Sequence, residues 1–402
     1  MNSNDLISKA KSYLEFLCNV KPNRRTGSAG NRRATEFFAD TIRPFGYEID
    51  STPFDCLDYT SGETEVSCDG RHFEAFVSPY SPGCDVTAEL LVVSTAEELE
   101  NMEFEDKILL MTGEICSEQL MPKNFVFYNP EHHQRIIALL EKGRPAAIIT
   151  ATGKNPEQVG AIYPYPLFVD GDFDIPSAYC SDEEGQELCK HIGRKAHLRI
   201  ESKRFKSSAT NVVARLNPKA AGKIVVTAHI DAYESSPGAS DNGSGTVVLL
   251  LLAEMLSPYR GVHCVEIAAF NGEDHYSAGG EMDYLNRFGN EIDRIKLVIN
   301  IDDVGFKKGD ASYSLYECPP QLEQNINAVL TSREGLVPGM QWFAGDHMIF
   351  VQQQIPALAI TAENIEELMR TVTHTSLDTP DIIDSRKLVY LSKSLCELVF
   401  SL

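Results

Sequence analysis

Short apolar runs alternate with longer amphipathic segments through the second half of the chain. The runs predict strands and the segments predict helices, in the order strand 223–229, helix 244–256, strand 263–270, helix 278–288, strand 296–301, helix 320–333, strand 357–361 and helix 385–401. Strand–helix alternation of this kind is typical of a parallel sheet covered by helices on both faces. We therefore predict a three-layer α/β/α domain with a mostly parallel central sheet.

The first half of the chain has two regions with different predicted secondary structure. Two amphipathic helices and an edge strand are predicted before residue 57. Short strands and turns then predominate, until a strand after Ser208 restores the pattern of the main domain. We predict a main domain and an inserted, β-rich α/β domain, with bounds 1–56 plus 204–402 for the first and 57–203 for the second.

Imidazole and carboxylate side chains cluster at the ends of the predicted strands. They are His229, Asp231, Asp241, Glu273, Asp274, Asp302 and His374. Because the carboxyl ends of parallel strands share one edge of a sheet, we expect these side chains to converge. Imidazole and carboxylate ligands together suit zinc, with cobalt or manganese as substitutes. A single such group is more often a loop hydrogen bond or a solvated helix start, but several at successive strand ends favour a metal site.

Composition narrows the classes of function. The sequence has 36 Lys and Arg against 58 Asp and Glu, a formal net charge of −22, which disfavours nucleic acid because phosphate binding needs clustered cations. The amino-terminal segment does not resemble a secretory signal, and no run of 18 apolar residues predicts a membrane span. The ten cysteines form no Cys-x-x-Cys pair, which favours reduced thiols. We expect a cytoplasmic protein without membrane contacts.

Five short blocks of sequence carry a resemblance to a known family. In chain order they are AHIDAY, ASDNGSG, NGEDHYSAGG, NIDDVG and THTSLDT. They resemble the motifs of the di-zinc aminopeptidase family, which includes bacterial leucyl aminopeptidase, aminopeptidase Y and, more distantly, glutamate carboxypeptidase. A sixth segment, GDHMIFVQQQIPAL, is similar to another block of that family, and the resemblance covers roughly residues 206–380.

The resemblance implies a zinc-exopeptidase fold with two zinc ions. The metal ligands would be His229, Asp241, Asp274, Asp302 and His374. Asp241 would bridge the ions, His229 and Asp302 would hold one of them, and Asp274 and His374 would hold the other. Glu273 would be the general base that activates a metal-bridging water. Asp231 would accept the free ring N–H of His229, and the Asp241–Asn242 peptide bond is typically cis in this family.

Three positions depart from the family's pattern, and one of them, Phe270 in place of a tryptophan, is interpreted as a change in packing. Asp274 stands where glutamate is usual, so its carboxylate reaches one methylene less far. Thr373 stands where a tyrosine often stabilises the oxyanion. The substitute donor is left open among His347, Tyr276 and Tyr313. Trp342 either lines the substrate pocket or packs within its loop, and the specificity loops are expected at 306–319, 338–348 and 363–373.

The inserted region resembles a protease-associated domain. The segments DKILLMTG, PAAIITAT and IPSAYCSDEEGQEL follow one another in that domain's order. Such domains flank the active-site cleft in the family, so the resemblance implies a role in limiting substrate length.

The favoured function is a zinc-dependent exopeptidase that hydrolyses the terminal bond of a peptide as an aminopeptidase. A carboxypeptidase or dipeptidase of the same family is one alternative, and it would need a cation such as Arg287, Arg333 or Arg370 for the terminal carboxylate. A glutaminyl-cyclase-like aminoacyl transferase would use one zinc ion, and a catalytically inactive binding relative is the third alternative. A peptide is the expected partner, and the resemblance also suggests a homodimer.

Overall fold

The chain forms two compact units in a computed structural model that describes residues 3–123, 125, 129–154, 159–275 and 279–402. Their bounds are Met1–Cys56 with Ser208–Leu402 for one unit, and Leu57–Ser207 for the other. We call these the main unit and the inserted unit. The predicted boundaries, after residues 56 and 203, lie at the first of these divisions and four residues before the second.

Helices and strands are numbered in chain order over the described residues. The helices are α1 Ser3–Cys18, α2 Ala29–Ile42, α3 Ala96–Asn101, α4 Glu131–Gly143, α5 Asp182–Cys189, α6 Gly245–Leu256, α7 Gly280–Phe288, α8 Pro320–Leu330, α9 Met348–Val351, α10 Ile365–Thr371 and α11 Ser385–Ser401. The strands are β1 Glu48–Asp50, β2 Pro53–Cys68, β3 Arg71–Phe73, β4 Phe76–Val77, β5 Cys84–Val93, β6 Ile108–Met111, β7 Ala147–Thr152, β8 Ser177–Ser181, β9 Lys195–Thr210, β10 Val212–Leu216, β11 Gly222–His229, β12 His263–Phe270, β13 Ile295–Ile301, β14 Ala311–Tyr316, β15 Leu336–Pro338 and β16 Ala357–Ala362. Among the described helices, none combines the length and the apolar character needed to cross a membrane.

The main unit is built on an eight-stranded mixed sheet. Its strand order is β1-β10-β12-β11-β13-β16-β14-β15. Strands β12, β11, β13 and β16 run parallel to one another, whereas β10 joins β12 and β14 joins β16 in antiparallel fashion. Every residue of β11 is buried, as expected for an apolar run at the centre of a parallel sheet. The predicted α/β fold is confirmed, with a parallel centre and antiparallel pairings toward the edges.

Helices cover both faces of this sheet. On one face, Ile224 and Val226 of β11 share a core with the buried sides of α1, α2, α6, α8 and α11. On the other face, the ring of Phe270 in β12 lies 5.0 Å from that of Tyr284 in α7, measured between centroids. Because strand residues alternate between faces, His229 lies on this second face, with Phe270 as its partner on β12.

The inserted unit carries its own eight-stranded sheet, in the order β3-β2-β9-β5-β6-β7-β8-β4. Strands β5, β6, β7 and β8 are parallel. Apolar side chains fill a core on each face, one including Leu109 with α3 and α4 and the other including Leu110 with α5. The region is therefore a β-rich α/β unit, and its likeness to a protease-associated domain stays a prediction.

Two segments expected to be specificity loops contain regular structure. Strand β14 lies within 306–319 and pairs with β16 along its whole length. Helix α10 occupies most of 363–373. The loop prediction is wrong for these two segments because a short strand or helix gains its stability from tertiary pairing rather than from its own pattern.

Candidate metal centre

The central strands bring the predicted ligands to one edge of the main sheet. His229 ends β11 opposite Phe270, the last residue of β12. Asp274 follows β12 after a short turn. Asp302 directly follows β13, and its backbone N–H donates to the carbonyl of Ile360 in β16 at 2.9 Å. The four strands therefore end together, and the loops that leave them meet at this edge.

Asp241 is presented by a buried turn between β11 and α6. The Asp241–Asn242 peptide bond is cis, as the resemblance implies. The Asp378 carboxylate accepts hydrogen bonds from the backbone N–H groups of Ser240 and Asp241, at 2.7 and 3.1 Å. The side-chain amide of Asn242 donates to the last carbonyl of β13 at 2.8 Å. These contacts fix the turn on both sides of Asp241.

The two carboxylate oxygens of Asp241 face different histidines. Oδ1 lies 3.2 Å from His229 Nε2, and that nitrogen is 3.4 Å from Asp302 Oδ1. Oδ2 lies 3.0 Å from His374 Nε2, and that nitrogen is 2.9 Å from Asp274 Oδ1. Two sets of three donors therefore share Asp241. This is the division of ligands that the resemblance implies.

The donor set fits divalent cations. Each histidine Nε2 faces two carboxylate oxygens, yet a ring nitrogen carries at most one proton. In the described part of the chain, His229 Nε2, Asp302 Oδ1 and Asp274 Oδ2 are buried polar atoms without a hydrogen-bond partner, although buried polar atoms normally have one. A cation among these donors would supply that partner. Imidazole and carboxylate ligands are those that zinc takes in proteins.

Mutual proximity shifts the pKa values in this cluster. Burial disfavours the charged imidazoles, but neighbouring carboxylates raise the pKa of His229 and of His374 well above the ordinary value. Burial likewise disfavours the Asp241 carboxylate, but the two histidines lower its pKa. Burial raises the pKa of Asp302. The carboxylates thus require positive charge beside them, which a divalent cation would supply in place of the ring protons.

Asp231 lies behind His229, away from the two donor sets. Its Oδ1 is 3.6 Å from His229 Nδ1, and its Oδ2 is 3.3 Å from His275 Nδ1. Burial disfavours its charge, but the contacts with His229 and His275 lower its pKa. An ionised carboxylate at this distance would favour the ring proton of His229 on Nδ1 and leave Nε2 for a metal. The position fits the role predicted for Asp231.

The adjacent acids Glu273 and Asp274 take different positions. Asp274 is the shorter side chain, yet its Oδ1 still lies 2.9 Å from His374 Nε2. Burial raises the pKa of Glu273 well above its ordinary value, His229 opposes the shift, and the carboxylates of Asp274 and Asp302 add to it. A raised pKa strengthens a carboxylate as a base. The shift involves the charges of His229, Asp274 and Asp302, so Glu273 lies within electrostatic reach of both donor sets.

His347 is not supported as an oxyanion donor, because both of its ring nitrogens have partners within the protein. Nε2 lies 3.1 Å from the carbonyl of Trp342, and Nδ1 lies 3.4 Å from the amide nitrogen of Asn300. The amide oxygen of Asn300 accepts from Thr227 at 2.7 Å, so its nitrogen is the group that faces His347. The ring proton therefore sits on Nε2 and is donated to Trp342. The Trp342 ring packs against His347 at 4.5 Å between centroids, which supports packing for this residue.

Tyr313 lies in the core rather than at the candidate centre. It belongs to the same hydrophobic cluster as Ile224, on the face of the sheet opposite to His229. Its hydroxyl donates to the side-chain oxygen of Asn327 in α8 at 2.9 Å. The prediction that Tyr313 contacts substrate is therefore wrong, because the alternation of strand β14 directs it to the other face. Tyr276, the third predicted donor, lies outside the described residues.

Four further residues surround the centre and were not singled out from the sequence. They are Arg24, Tyr233, His275 and Asp378. Tyr233, His275 and Asp378 lie in the blocks AHIDAY, NGEDHYSAGG and THTSLDT, so their places in motifs are a signal that could have identified them. Arg24 donates three hydrogen bonds to the loop that follows β11, and Tyr233 stacks on His374. Arg24 lies outside the blocks and its partners are distant in sequence, so no local pattern marks it.

Known proteins are similar to this chain in sequence and fold. Residues 211–399 match the model of peptidase family M28. The matched stretch is just under half of the chain. The match contains all five predicted ligands and Glu273, and it confirms the family to which the sequence blocks pointed. The inserted unit lies outside the matched residues.

Proteins with sequences similar to this chain include named aminopeptidases. Over 318 residues the chain is 22% identical to a probable leucine aminopeptidase 2 of Arthroderma benhamiae, which covers 74% of this chain and 58% of that protein. The chain thus spans less than two thirds of that relative. The solved aminopeptidase from Aneurinibacillus sp. strain AM-1 has 22% identity and a TM-score of 0.75, covering 98% of this chain and 93% of that one. BSAP, a zinc aminopeptidase from Bacillus subtilis, has 19% identity and a TM-score of 0.76, with coverage of 98% and 94%. These likenesses establish the fold.

Proposed function

We propose that the protein is a metal-dependent aminopeptidase that uses two zinc ions to release the amino-terminal residue of a peptide. The observation that supports this most directly is the shared carboxylate of Asp241, whose oxygens lie 3.2 and 3.0 Å from the ring nitrogens of His229 and His374. Two adjoining donor sets suit a pair of cations better than a single ion. The match of residues 211–399 to a peptidase family supports hydrolysis of peptide bonds.

Each residue of the centre has a proposed part in the reaction. The zinc ions would be held by His229, Asp241, Asp274, Asp302 and His374. When bound, they would lower the pKa of a water to about 7 and polarise the scissile carbonyl. Glu273 would take the proton of that water on a carboxylate oxygen and deliver it to the leaving amine. Asp231 would keep the proton of His229 on Nδ1. The surrounding carboxylates would attract the α-ammonium group of the substrate, which confines cleavage to the amino end.

The arginines bear on the carboxypeptidase alternative. A carboxypeptidase needs a cation at its centre to hold the terminal carboxylate of the substrate. Each of the three arginines considered for that role pairs with a carboxylate, namely Arg287 with Asp50, Arg333 with Glu397 and Arg370 with Glu366. These pairings favour cleavage at the amino end.

The donor sets bear on the other two alternatives. A one-zinc transferase needs a single set, whereas Asp241 joins two. A binding relative without catalysis would have lost ligands, whereas five donors and Glu273 lie together in this chain. A peptide substrate, the homodimer and the cytoplasmic location remain proposals that rest on the sequence.

Metal analysis combined with hydrolysis of a panel of aminoacyl-anilides tests the proposed function. We expect two metal ions per chain and cleavage that a chelator abolishes. E273Q should retain both ions and lose at least about 100-fold in kcat, since proton transfer by a positioned base contributes 10²–10⁴-fold. E323Q removes an exposed glutamate on α8 and should match the wild type.

Other results would redirect or overturn the proposal. One ion per chain without hydrolysis of the anilides would favour the transferase. Two ions without cleavage of any free-amine substrate would favour attack at the carboxyl end of a peptide. A protein that takes up no zinc would exclude the metallopeptidase altogether.

A further inference from the structure

The ring of Tyr233 stacks on one of the two histidines that face Asp241. The centroids of the Tyr233 and His374 rings lie 4.9 Å apart, and their planes differ by 17°. The Tyr233 ring is also nearly parallel to that of His275, at 6.3 Å and 22°. Tyr233 itself is partly buried in the loop after β11.

These contacts belong to a chain of neighbouring side chains that runs from one donor set to the other. His229 lies 3.6 Å from Asp231, and Asp231 lies 3.3 Å from His275. The ring of His275 faces Tyr233, whose ring packs on His374. Each histidine of the centre therefore has a partner behind it, a carboxylate for His229 and an aromatic ring for His374.

The two histidines need different kinds of support because their backbones differ. His229 is the last residue of the central strand β11, so its direction is fixed by the sheet. His374 lies in a loop with φ of +66°, a region that residues other than glycine rarely adopt. Its side chain is 17% exposed, against 1% for His229. A ring at a loop position keeps more freedom to rotate unless another group packs against its face.

We propose that Tyr233 is a positioning residue that holds the ring of His374 in the orientation required to bind the second metal ion, the one shared with Asp274 and Asp241. This inference rests on the proposed two-zinc centre. The stacked face of the tyrosine supplies the support, so the aromatic ring is the required feature. Groups behind a metal ligand typically change metal affinity by 10–100-fold, and we place Tyr233 in that class.

Zinc affinity of the metal-free protein, measured by competition with a chromophoric chelator, tests this inference without relying on activity. Y233L should lower the affinity for one of the two ions by about 10–100-fold and leave the affinity for the other unchanged. Y233F keeps the ring and should bind both ions as the wild type does. The matched control is Y13L, which removes another partly buried tyrosine, packed edge-on against Phe37 at 5.7 Å between centroids. It should not change either affinity.

A second background separates positioning from a general loss of structure. In H374A only the ion at His229 remains, and adding Y233L should leave its affinity unchanged, because Tyr233 acts through His374. The inference is overturned by equal weakening of both ions in Y233L, by a Y233F that behaves like Y233L, or by a Y233L that binds both ions normally. If far-UV circular dichroism shows Y233L unfolded, Y233Q takes its place with the same criteria. A wild type that binds fewer than two ions would instead refute the proposed function.

Discussion

Three histidines close to the candidate centre differ in charge because their neighbours differ. His229 and His374 face carboxylates, which raise their pKa values against the effect of burial. His347 faces a backbone carbonyl and a side-chain amide, and burial lowers its pKa to about 4. The imidazole is therefore a charged partner of carboxylates at His229 and His374, whereas at His347 it is a neutral hydrogen-bonding group.

His347 should make the stability of the protein depend on pH in a predictable direction. Its pKa falls from an ordinary 6.5 to about 4 on folding, so the unfolded chain takes up the proton first as the pH falls. The protein should lose about 3 kcal/mol of unfolding free energy between pH 6.5 and pH 4 through this residue. H347Q should lack that loss. Urea unfolding of the zinc-free wild type and variant at several pH values gives the difference between the two curves.

The control for this pH dependence is a histidine at the surface. His72 has a side chain that is 71% exposed, so H72Q should follow the wild-type curve. Wild-type and H347Q curves that run parallel from pH 6.5 to pH 4 would contradict the assignment of His347 as a buried neutral ring.

Individual residues also show which parts of the candidate site could be predicted from the sequence. The ligands His229, Asp241 and Asp302 were predictable because their types, order and positions at strand ends are local facts. Tyr313 was misplaced because β14 was not recognised as a strand, and a side chain cannot be assigned to a face without one. Tyr233 escaped notice because its role depends on the ring of His374, which only the fold brings near.

Elements that carry no ligand also hold the centre in place, as the segment between α1 and α2 does. Arg24 in that segment is 2% exposed. Its guanidinium donates to three backbone carbonyls of the loop after β11, at 3.0 Å to Ile230, 2.9 Å to Pro237 and 2.7 Å to Gly238. Backbone groups buried in a loop need such partners. The amino-terminal segment is thus part of the framework that positions Asp231 and Asp241.

Removal of Arg24 should destabilise the main unit. R24A leaves the carbonyls of Ile230 and Pro237 without this donor, and that of Gly238 with only the N–H of Gly243. We expect the free energy of unfolding to fall by about 3 kcal/mol. R24K should recover only part of this loss, because an ammonium group lacks the planar fork that reaches several acceptors. Urea unfolding measures both variants. R43A, at an arginine that is 68% exposed, should cost less than about 0.5 kcal/mol, and an R24A variant that is no less stable than R43A would contradict the anchoring role.

The helices and strands that could be predicted from the sequence are those that are long or largely buried. Strand 263–270 and helix 385–401 were predicted at the bounds observed for β12 and α11, because a buried apolar run and a long amphipathic stripe are strong signals. Strand β14, with the sequence ASYSLY, lacks such a run and is stabilised by pairing with β16. Helix α9 has four residues, which is too short to form without its surroundings.

At the scale of the whole molecule, the chain carries an excess of negative charge, and part of that charge is concentrated at the candidate metal centre. The formal net charge is −22, and the ligand atoms of Asp241, Asp302 and Asp303 lie within 4.8 Å of one another. Burial and the neighbouring acids raise the pKa of Asp303 well above its ordinary value. Divalent cations would relieve this repulsion, so metal binding and folding of the main unit should be coupled.

Zinc should therefore stabilise the main unit and leave the inserted unit unchanged, because every donor atom of the centre belongs to the main unit. At a free concentration of 100 Kd, each ion should add about 2.7 kcal/mol to the unfolding free energy. Hydrogen exchange followed by mass spectrometry should show slower exchange with zinc in peptides covering 229–241, 271–275 and 300–303, and equal rates throughout 57–207. E273Q keeps all five ligands and should show the same protection, whereas D241N loses the shared carboxylate and should show little. Protection of the inserted unit, or full protection in D241N, would mean that zinc acts at another place, since neither result follows from ions held between His229 and His374.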